Sequence, residues 1–199
     1  MVGLPKHIRS LVAAFAVALA CAVPAIALGD TGNSNGGVDP NDPQFQPHGK
    51  ASLLPSGLAI APDDAPPEVK AVIEAGNHIA TLPYVYGGGH NARFSGRGYD
   101  CSGSVSYALH GGGLLTAPLD SGSFMSWADP GPGSWITIYT NPGHAYMVVA
   151  GLRFDTSMRT PLAGTARHRS GHRTSGTSSR WSTRMRSASG YKVRHPAGF

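Results

Sequence analysis

Residues 99–113 read YDCSGSVSYALHGGG, and this stretch places a cysteine where a loop turns into a helix. Asp100 stands in the N-cap position, where a carboxylate accepts hydrogen bonds from the free N–H groups of the first helical turn. The three glycines at 111–113 are a strong helix terminator. We therefore predict a short helix that begins near Cys101 and ends at these glycines, with the thiol on its first turn.

Cys101 has one possible disulfide partner within the chain, Cys21. Residues 1–27 carry two cations, then an apolar run and the small-residue sequence Ala25-Ile26-Ala27, a pattern typical of a cleaved secretory signal peptide. Pro24 interrupts the run, which is shorter than the ~20 residues that span a bilayer. A retained membrane anchor and a lipoprotein modified at Cys21 are the alternatives. We expect cleavage, secretion to the cell wall and no integral membrane span after processing.

Cleavage would leave Cys101 without a partner for an intrachain disulfide. A leftover cysteine in an exported protein indicates intermolecular pairing or a reactive thiol. A buried, inert cysteine is the other interpretation, because free cysteine is often a small core residue. The neighbours of Cys101 must decide between these interpretations.

The formal net charge of +5 is concentrated toward the C-terminus, where residues 153–199 hold ten Lys or Arg and one acid, Asp155. Such a basic region favours a polyanionic neighbour. Nucleic acid is not expected outside the membrane, so an anionic cell-wall polymer is the partner that we predict for this region. A basic face that is merely solvated is the alternative.

Composition divides the remaining chain into two parts. Residues 28–64 are rich in Gly, Asn, Asp and Pro and predict a flexible linker, whereas residues 65–199 predict one globular domain. We expect its first helix at 66–80, capped by Asp63 or Asp64, with Gly76 as the weak point of the apolar stripe.

Strand patterns follow the two helices. Apolar and β-branched residues predict strands at 135–140, 144–151, 152–157 and 191–196, with the middle two joined as a hairpin at Gly151. The Arg-, Ser- and Thr-rich residues 158–180 predict a long loop. Helices followed by a group of strands indicate an α+β fold in which N-terminal helices pack on an antiparallel sheet.

The position of Cys101 favours a reactive thiol, because the N–H groups and dipole of a helix N-terminus stabilise a thiolate. A cysteine nucleophile needs a base, usually histidine, and a group that orients the base. His144 begins the apolar strand HAYMVVAG, and Asp155 lies across the predicted hairpin, where the ends of the two strands meet. We expect Asp155 to hold the His144 imidazole in one tautomer, as the third member of a triad does.

The other histidines give weaker candidates. His90, in the glycine-rich loop at 87–98, is expected to line a groove. No pair of histidines has the spacing of a zinc site, and the chain has no CxxC pair. We therefore predict no metal and no other cofactor.

Three blocks of the sequence resemble the NlpC family of papain-like cysteine peptidases. The blocks are LPYVYGG at 82–88, YDCSGSVSYAL at 99–109 and GHAYMVVAGLRFD at 143–155. The resemblance covers roughly residues 66–199 and implies a papain-like, NlpC-type domain. It implies Cys101 as the nucleophile, His144 as the general base and Asp155 as the third polar residue of the site.

The resemblance extends to two further residues. Tyr84 matches the tyrosine beside the nucleophile, where its hydroxyl would help to hold the tetrahedral oxyanion. Ser102 matches the serine that follows the nucleophile, although a helix-turn residue without a catalytic part is an equal alternative. The chain departs from the family in a longer loop before Cys101 and in APLDSGS after the helix, where Pro-Arg-x-Ser is common, so the details of the substrate pocket stay open.

The activity that the resemblance implies is cleavage of stem peptides in bacterial peptidoglycan, between D-glutamate and a diamino acid. Amidase or acyl-transfer chemistry at the same three residues is one alternative. A non-catalytic wall-binding protein, which would hold anionic polymer through its basic C-terminal region, is the other.

Overall fold

The computed structural model describes residues 48–162 and 178–199. Its helices are α1 (Pro67–Ile79), α2 (Cys101–Gly111) and α3 (Ser121–Phe124). Its strands are β1 (Ser52–Leu53), β2 (Ala59–Ile60), β3 (Asp129–Pro130), β4 (Ile136–Asn141), β5 (His144–Val149), β6 (Leu152–Phe154), β7 (Thr160–Pro161), β8 (Ser178–Ser179), β9 (Trp181–Ser182) and β10 (Lys192–His195). The predicted signal peptide, the linker up to residue 47 and residues 163–177 of the predicted loop lie outside the described residues.

An antiparallel sheet of six strands, in the order β3-β10-β4-β5-β6-β9, forms one layer. Its centre is the pair β4 and β5, in register from Ile136 opposite Val149 to Asn141 opposite His144. A tight turn joins β5 to β6, with φ of 45° at Ala150 and 80° at Gly151, the left-handed conformation that a two-residue hairpin requires. The predicted hairpin is therefore confirmed, and it places His144 at the far end of β5 from the turn.

The two longer helices form the other layer, in which α1 packs on α2 and α2 packs on β5. Helix α1 buries the predicted stripe of Val69, Val72, Ile73 and Ile79. Gly76 leaves room on this buried face for Trp181, because a Cβ at position 76 would lie 2.6 Å from the indole ring. Helices on an antiparallel sheet confirm the α+β class.

The predicted flexible linker to residue 64 is wrong for its last part. Strands β1 and β2 pair antiparallel and lie on the domain. The Ala51 N–H donates to the Ala150 carbonyl at 2.8 Å, and the Asn77 side chain both accepts from Ala59 N–H and donates to Ala59 O at 2.8 Å. The Pro- and Gly-rich composition did not predict these hydrogen bonds, because their partners lie outside the segment.

The predicted cap of α1 is also wrong, since Pro66 is its N-cap residue and no side chain caps it. Asp64 instead accepts from Gly49 N–H at 2.8 Å, and the Asp63 main-chain oxygen accepts from Lys70 Nζ at 2.7 Å. The helix starts without a side-chain cap because Pro67 at its first position has a fixed helical φ and no N–H to satisfy.

The predicted loop at 158–180 contains ordered strands at both ends. β7 pairs with β8, and β9 joins the edge of the main sheet beside β6, with Trp181 fully buried. Strand β6 ends at Phe154 and not at the predicted 157, because the Asp155 carboxylate accepts from Ser157 N–H at 2.8 Å and turns the chain. Among the described residues, no helix combines the length and the hydropathy that crossing a bilayer requires.

Candidate active site

Cys101 is the first residue of α2, as predicted, and its thiol is free and half-buried. Asp100 is the N-cap, with its Oδ1 accepting from Gly103 N–H at 2.7 Å. Ser102, Gly103 and Ser104 are buried beneath the helix start, and their small size lets the glycine loop approach it. A Cβ on Gly103 would collide with the Gly88 carbonyl oxygen, so this position requires glycine.

His144 enters the site because β5 begins there, directly after the turn formed by Pro142 and Gly143. The Asn141 side-chain oxygen accepts from Gly143 N–H at 3.0 Å and closes this turn. The ring of His144 is mostly buried, and its Nε2 lies 3.0 Å from Asp155 Oδ1. Asp155 is thus placed beside the imidazole that the sequence predicted it would orient.

The thiol and the imidazole interact with each other. Burial tends to raise the pKa of Cys101, but hydrogen bonds from the His144 side chain and from Ala145 N–H outweigh it, and the net pKa is lowered. Burial tends to lower the pKa of His144, but hydrogen bonds to Asp155 and Cys101 raise it to about 9. Because Nε2 faces Asp155, Nδ1 is the ring nitrogen left for the thiol. Both shifts favour the ion pair of a thiolate and an imidazolium over the neutral thiol and imidazole.

Asp155 is fully enclosed by donors. Its Oδ1 accepts from His144 Nε2 and, at 2.8 Å each, from the N–H and the hydroxyl of Ser157. Its Oδ2 accepts from Arg186 at 3.1 Å. Burial acts to raise the pKa of this carboxyl, but the hydrogen bonds from His144 and Ser157 hold it well below its usual range. The carboxylate is therefore ionised across the pH range in which the protein would work.

A groove of about 520 Å³ runs past Cys101. Tyr84 and Ser102, the two residues that the family resemblance added, both line it. Half of the Tyr84 side chain is exposed, and its pKa is raised by burial and then by the negative charges of Cys101 and Asp100. Its hydroxyl therefore keeps its proton. The Ser102 hydroxyl turns away from solvent and donates to Asp100 Oδ1 at 3.3 Å.

A second histidine–carboxylate pair lies on the groove wall. His90 Nε2 is 2.9 Å and 3.1 Å from the two oxygens of Asp100, which also accepts from Gly87 N–H at 3.0 Å. His90 lines the groove, where its place in the glycine loop led us to expect it. The sequence did not indicate this contact, because the nine residues between His90 and Asp100 follow no regular period.

Arg180 is the residue that the sequence missed most completely. It is fully buried, and its guanidinium donates to the carbonyls of Ile79, Leu82, Pro83 and Tyr99 and to the Ser104 hydroxyl. Its main-chain oxygen accepts from Asp155 N–H at 3.0 Å. One side chain therefore ties the end of α1 to the segments before Tyr84 and before Cys101, and its backbone holds Asp155.

The remaining histidines of the described part have other partners or positions. His48 stacks on Trp135, His110 stacks on Phe94, and His195 Nδ1 donates to Gly131 O. Within residues 48–162 and 178–199, no group of three or more His, Cys, Asp or Glu side chains is arranged to hold a metal ion.

The site combines a thiol whose pKa is lowered, an imidazole placed to take and give a proton, and a carboxylate that fixes that imidazole. The thiol lines the groove, and the carboxylate is buried behind the imidazole. Such a set is suited to nucleophilic attack on a carbonyl carbon. In comparisons with known proteins, no family model matches the chain and no curated protein matches it.

Proposed function

We propose that this protein is a secreted cysteine endopeptidase that hydrolyses peptide bonds in peptidoglycan stem peptides, on a papain-like, NlpC-type domain. The observation that carries the proposal is the 3.0 Å contact between His144 Nε2 and Asp155 Oδ1, together with the lowering of the Cys101 pKa by that same histidine. Secretion rests on the sequence of residues 1–27.

The proposed reaction has two halves. The Cys101 thiolate attacks the peptide carbonyl carbon, the C–N bond breaks, and the His144 imidazolium gives its proton to the leaving amine. Neutral His144 then takes a proton from water, whose oxygen attacks the thioester, and the acid product leaves. The C–S bond breaks, which restores the thiolate, and the proton taken from water stays on His144 as the imidazolium.

Two kinds of donor are available for the oxyanion of the tetrahedral intermediate. The first turn of α2 presents backbone N–H groups that have no partner within the helix. The hydroxyl of Tyr84 lines the same groove as Cys101 and keeps its proton because its pKa is raised. We assign Tyr84 this supporting role and give Ser102 a structural role, since its hydroxyl donates to Asp100.

The substrate class follows from the groove and from the family resemblance together. The groove is partly open to solvent, and its walls come from the turn before β5, the start of α3 and the glycine loop. The resemblance supplies the bond between D-glutamate and a diamino acid. Amidase and acyl-transfer chemistry would use the same three side chains and differ in the product.

Binding of anionic wall polymer by the basic region finds less support. Arg153 and Arg180 are buried, and Arg194 donates to the Met125 carbonyl at 2.9 Å. Arg186 is paired with Asp155. Much of the positive charge in the described C-terminal residues therefore serves internal contacts, and the proposed function does not rest on this binding.

The test is a digest of purified peptidoglycan by residues 28–199, with Cys101→Ala as the matched control, read by mass spectrometry. Fragments that carry a newly freed diamino-acid amine, and that are absent with the variant, are the expected result. Release of intact stem peptides from the glycan would identify an amidase. Equal fragments from both proteins, or a wall that pellets with the protein and stays uncut, would overturn the proposal.

A further inference from the structure

Arg186 belongs to the basic C-terminal region, for which the sequence predicted an anionic cell-wall polymer as partner, with a solvated face as the alternative. Its NH1 donates to Asp155 Oδ2 at 3.1 Å and to the Ser157 hydroxyl at 2.8 Å. The Ser157 hydroxyl in turn donates to Asp155 Oδ1 at 2.8 Å. The guanidinium therefore closes a ring of hydrogen bonds on the side of the carboxylate away from His144.

Two aromatic rings hold this guanidinium. Its central carbon lies 5.1 Å from the centroid of the Tyr146 ring and 5.2 Å from that of Tyr191. The two rings stand nearly perpendicular to each other, at 82° with their centroids 5.2 Å apart. Cations over aromatic faces are attracted by the ring quadrupole, and the planar guanidinium of arginine fits such a site better than an ammonium does. Arg186 is thus fixed by two rings and two oxygens.

The two oxygens of the Asp155 carboxylate have different partners. Oδ1 faces His144 and Ser157, while Oδ2 faces Arg186, with Arg153 Nε further away at 3.7 Å. A carboxylate with both oxygens engaged cannot rotate to present a different edge to the imidazole. The charged and titratable groups packed around it are His144, Arg153, Arg186 and the phenol of Tyr146.

We propose that Arg186 is a positioning residue, which locks the Asp155 carboxylate so that His144 is held against the Cys101 thiol and keeps it reactive. The catalytic meaning of this role rests on the proposed function. The reactivity of the thiol itself can be measured without any substrate. Since the hydrogen bond to His144 is the largest of the contacts that lower the pKa of Cys101, a loosened Asp155 should raise this pKa toward that of free cysteine.

The test measures alkylation of Cys101 by iodoacetamide as a function of pH in the full chain, read by mass spectrometry on the peptide that contains Cys101. Arg186→Gln removes the charge, Arg186→Lys keeps the charge but loses the planar guanidinium between the two rings, and Arg184→Gln changes an exposed arginine two residues away as a control. We expect the labelling rate of Arg186→Gln at pH 6.5 to fall at least about threefold, that of Arg186→Lys to lie between, and that of the control to match the native chain.

A labelling profile of Arg186→Gln that superimposes on the native one, with an unchanged circular dichroism spectrum, would overturn the inference. If Arg186→Gln does not fold, Arg186→Lys decides: slower labelling supports the inference and a native profile overturns it, because an ammonium lacks the planar fit to the two rings. If Cys101 of the native chain is labelled readily at neutral pH but peptidoglycan stays uncut, the proposed substrate is wrong and the inferred role of Arg186 stands. A native chain that labels like free cysteine at every pH would overturn both.

Discussion

His144 Nε2 lies 3.0 Å from Asp155 Oδ1, across a hairpin whose turn is at Ala150 and Gly151. This single contact decides which imidazole nitrogen faces the thiol. It also places the His144 ring so that both the Asp155 carboxylate and the Cys101 thiolate act on its pKa. The pH behaviour of the site follows from this chain of three groups.

We predict that Cys101 reacts with iodoacetamide at pH values where free cysteine, with a pKa of about 8.5, is almost fully protonated. The lowered pKa of Cys101 sets the acid side of this profile. Peptidase activity should fall as the pH rises through about 9, because the leaving amine needs the proton of His144. Labelling rates and initial rates of cleavage, measured between pH 5 and about 10, check the two limbs.

Asp100→Asn should move the acid limb of the labelling profile to lower pH. The negative charge of Asp100 raises the pKa of Cys101, and an amide removes this charge while keeping an oxygen for Gly103 N–H. A shift to higher pH would mean that loss of the contacts to His90 and Gly87 N–H disturbs the helix start more than the charge change helps.

Asp155→Asn and Asp155→Ala should differ in activity. The asparagine oxygen can still accept from His144 Nε2, so we expect a loss in kcat/KM of about tenfold, whereas alanine leaves the ring unheld and should cost about a hundredfold or more. Steady-state kinetics of both variants measure the difference. Asp129→Asn, an exposed carboxylate on the edge strand β3, is the matched control.

The same carboxylate makes folding sensitive to acid. The folded-state pKa of Asp155 is depressed, so its stabilisation is present above its unfolded pKa of about 3.9 and is lost as the pH falls below that value. The free energy of unfolding of the native chain should drop in this window, and that of Asp155→Asn should drop less steeply. Parallel curves from urea titrations would contradict the assignment.

Arg180→Met should destabilise the domain by about 2–4 kcal/mol, because it removes a buried guanidinium that donates to four carbonyls and a hydroxyl. Arg184→Met, an exposed arginine four residues further on, should change stability by less than about 0.5 kcal/mol. Denaturant unfolding followed by circular dichroism compares the two. Equal stabilities would show that the buried guanidinium contributes nothing net.

Gly103→Ala should weaken the domain even though alanine is the better helix former by about 1 kcal/mol. Its Cβ would meet the Gly88 carbonyl oxygen, and we expect a net cost of about 1–3 kcal/mol as the glycine loop shifts. At Gly143, a Cβ would have only the Asn141 side-chain oxygen nearby, at 3.8 Å, so Gly143→Ala is the control for stability. A Gly103→Ala domain as stable as the native one would mean that the loop moves freely.

The parts of the fold that the sequence predicted are those set by neighbours along the chain. Asp100 before a small-residue segment and three glycines after it predict both ends of α2, because caps and terminators act within one turn. The alternating strand residues predict the hairpin from His144 to Phe154, and its short turn brings Asp155 back to His144. Local sequence patterns were therefore sufficient to predict the pairing of His144 with Asp155.

The arginines were not predictable in this way. Arginine is usually exposed, so Arg180 and Arg186 in a segment rich in Arg and Ser suggest a solvated loop. Their partners include the carbonyl of Ile79 at the end of α1 and the carboxylate of Asp155, which tertiary packing brings to them. No periodicity marks a residue whose contacts lie 31 to 101 positions away.

Arg180 also bears on when the site can exist during folding. Its side chain bonds groups that lie 76 to 101 residues earlier, and contacts of such sequence separation form only after the intervening chain has closed. Until residues 178–182 dock as β8 and β9, neither the Cys101 segment nor Asp155 is anchored by them. We expect Cys101 of a chain truncated after residue 177 to react with iodoacetamide like free cysteine. The thiol of an incompletely synthesised chain would then not be activated.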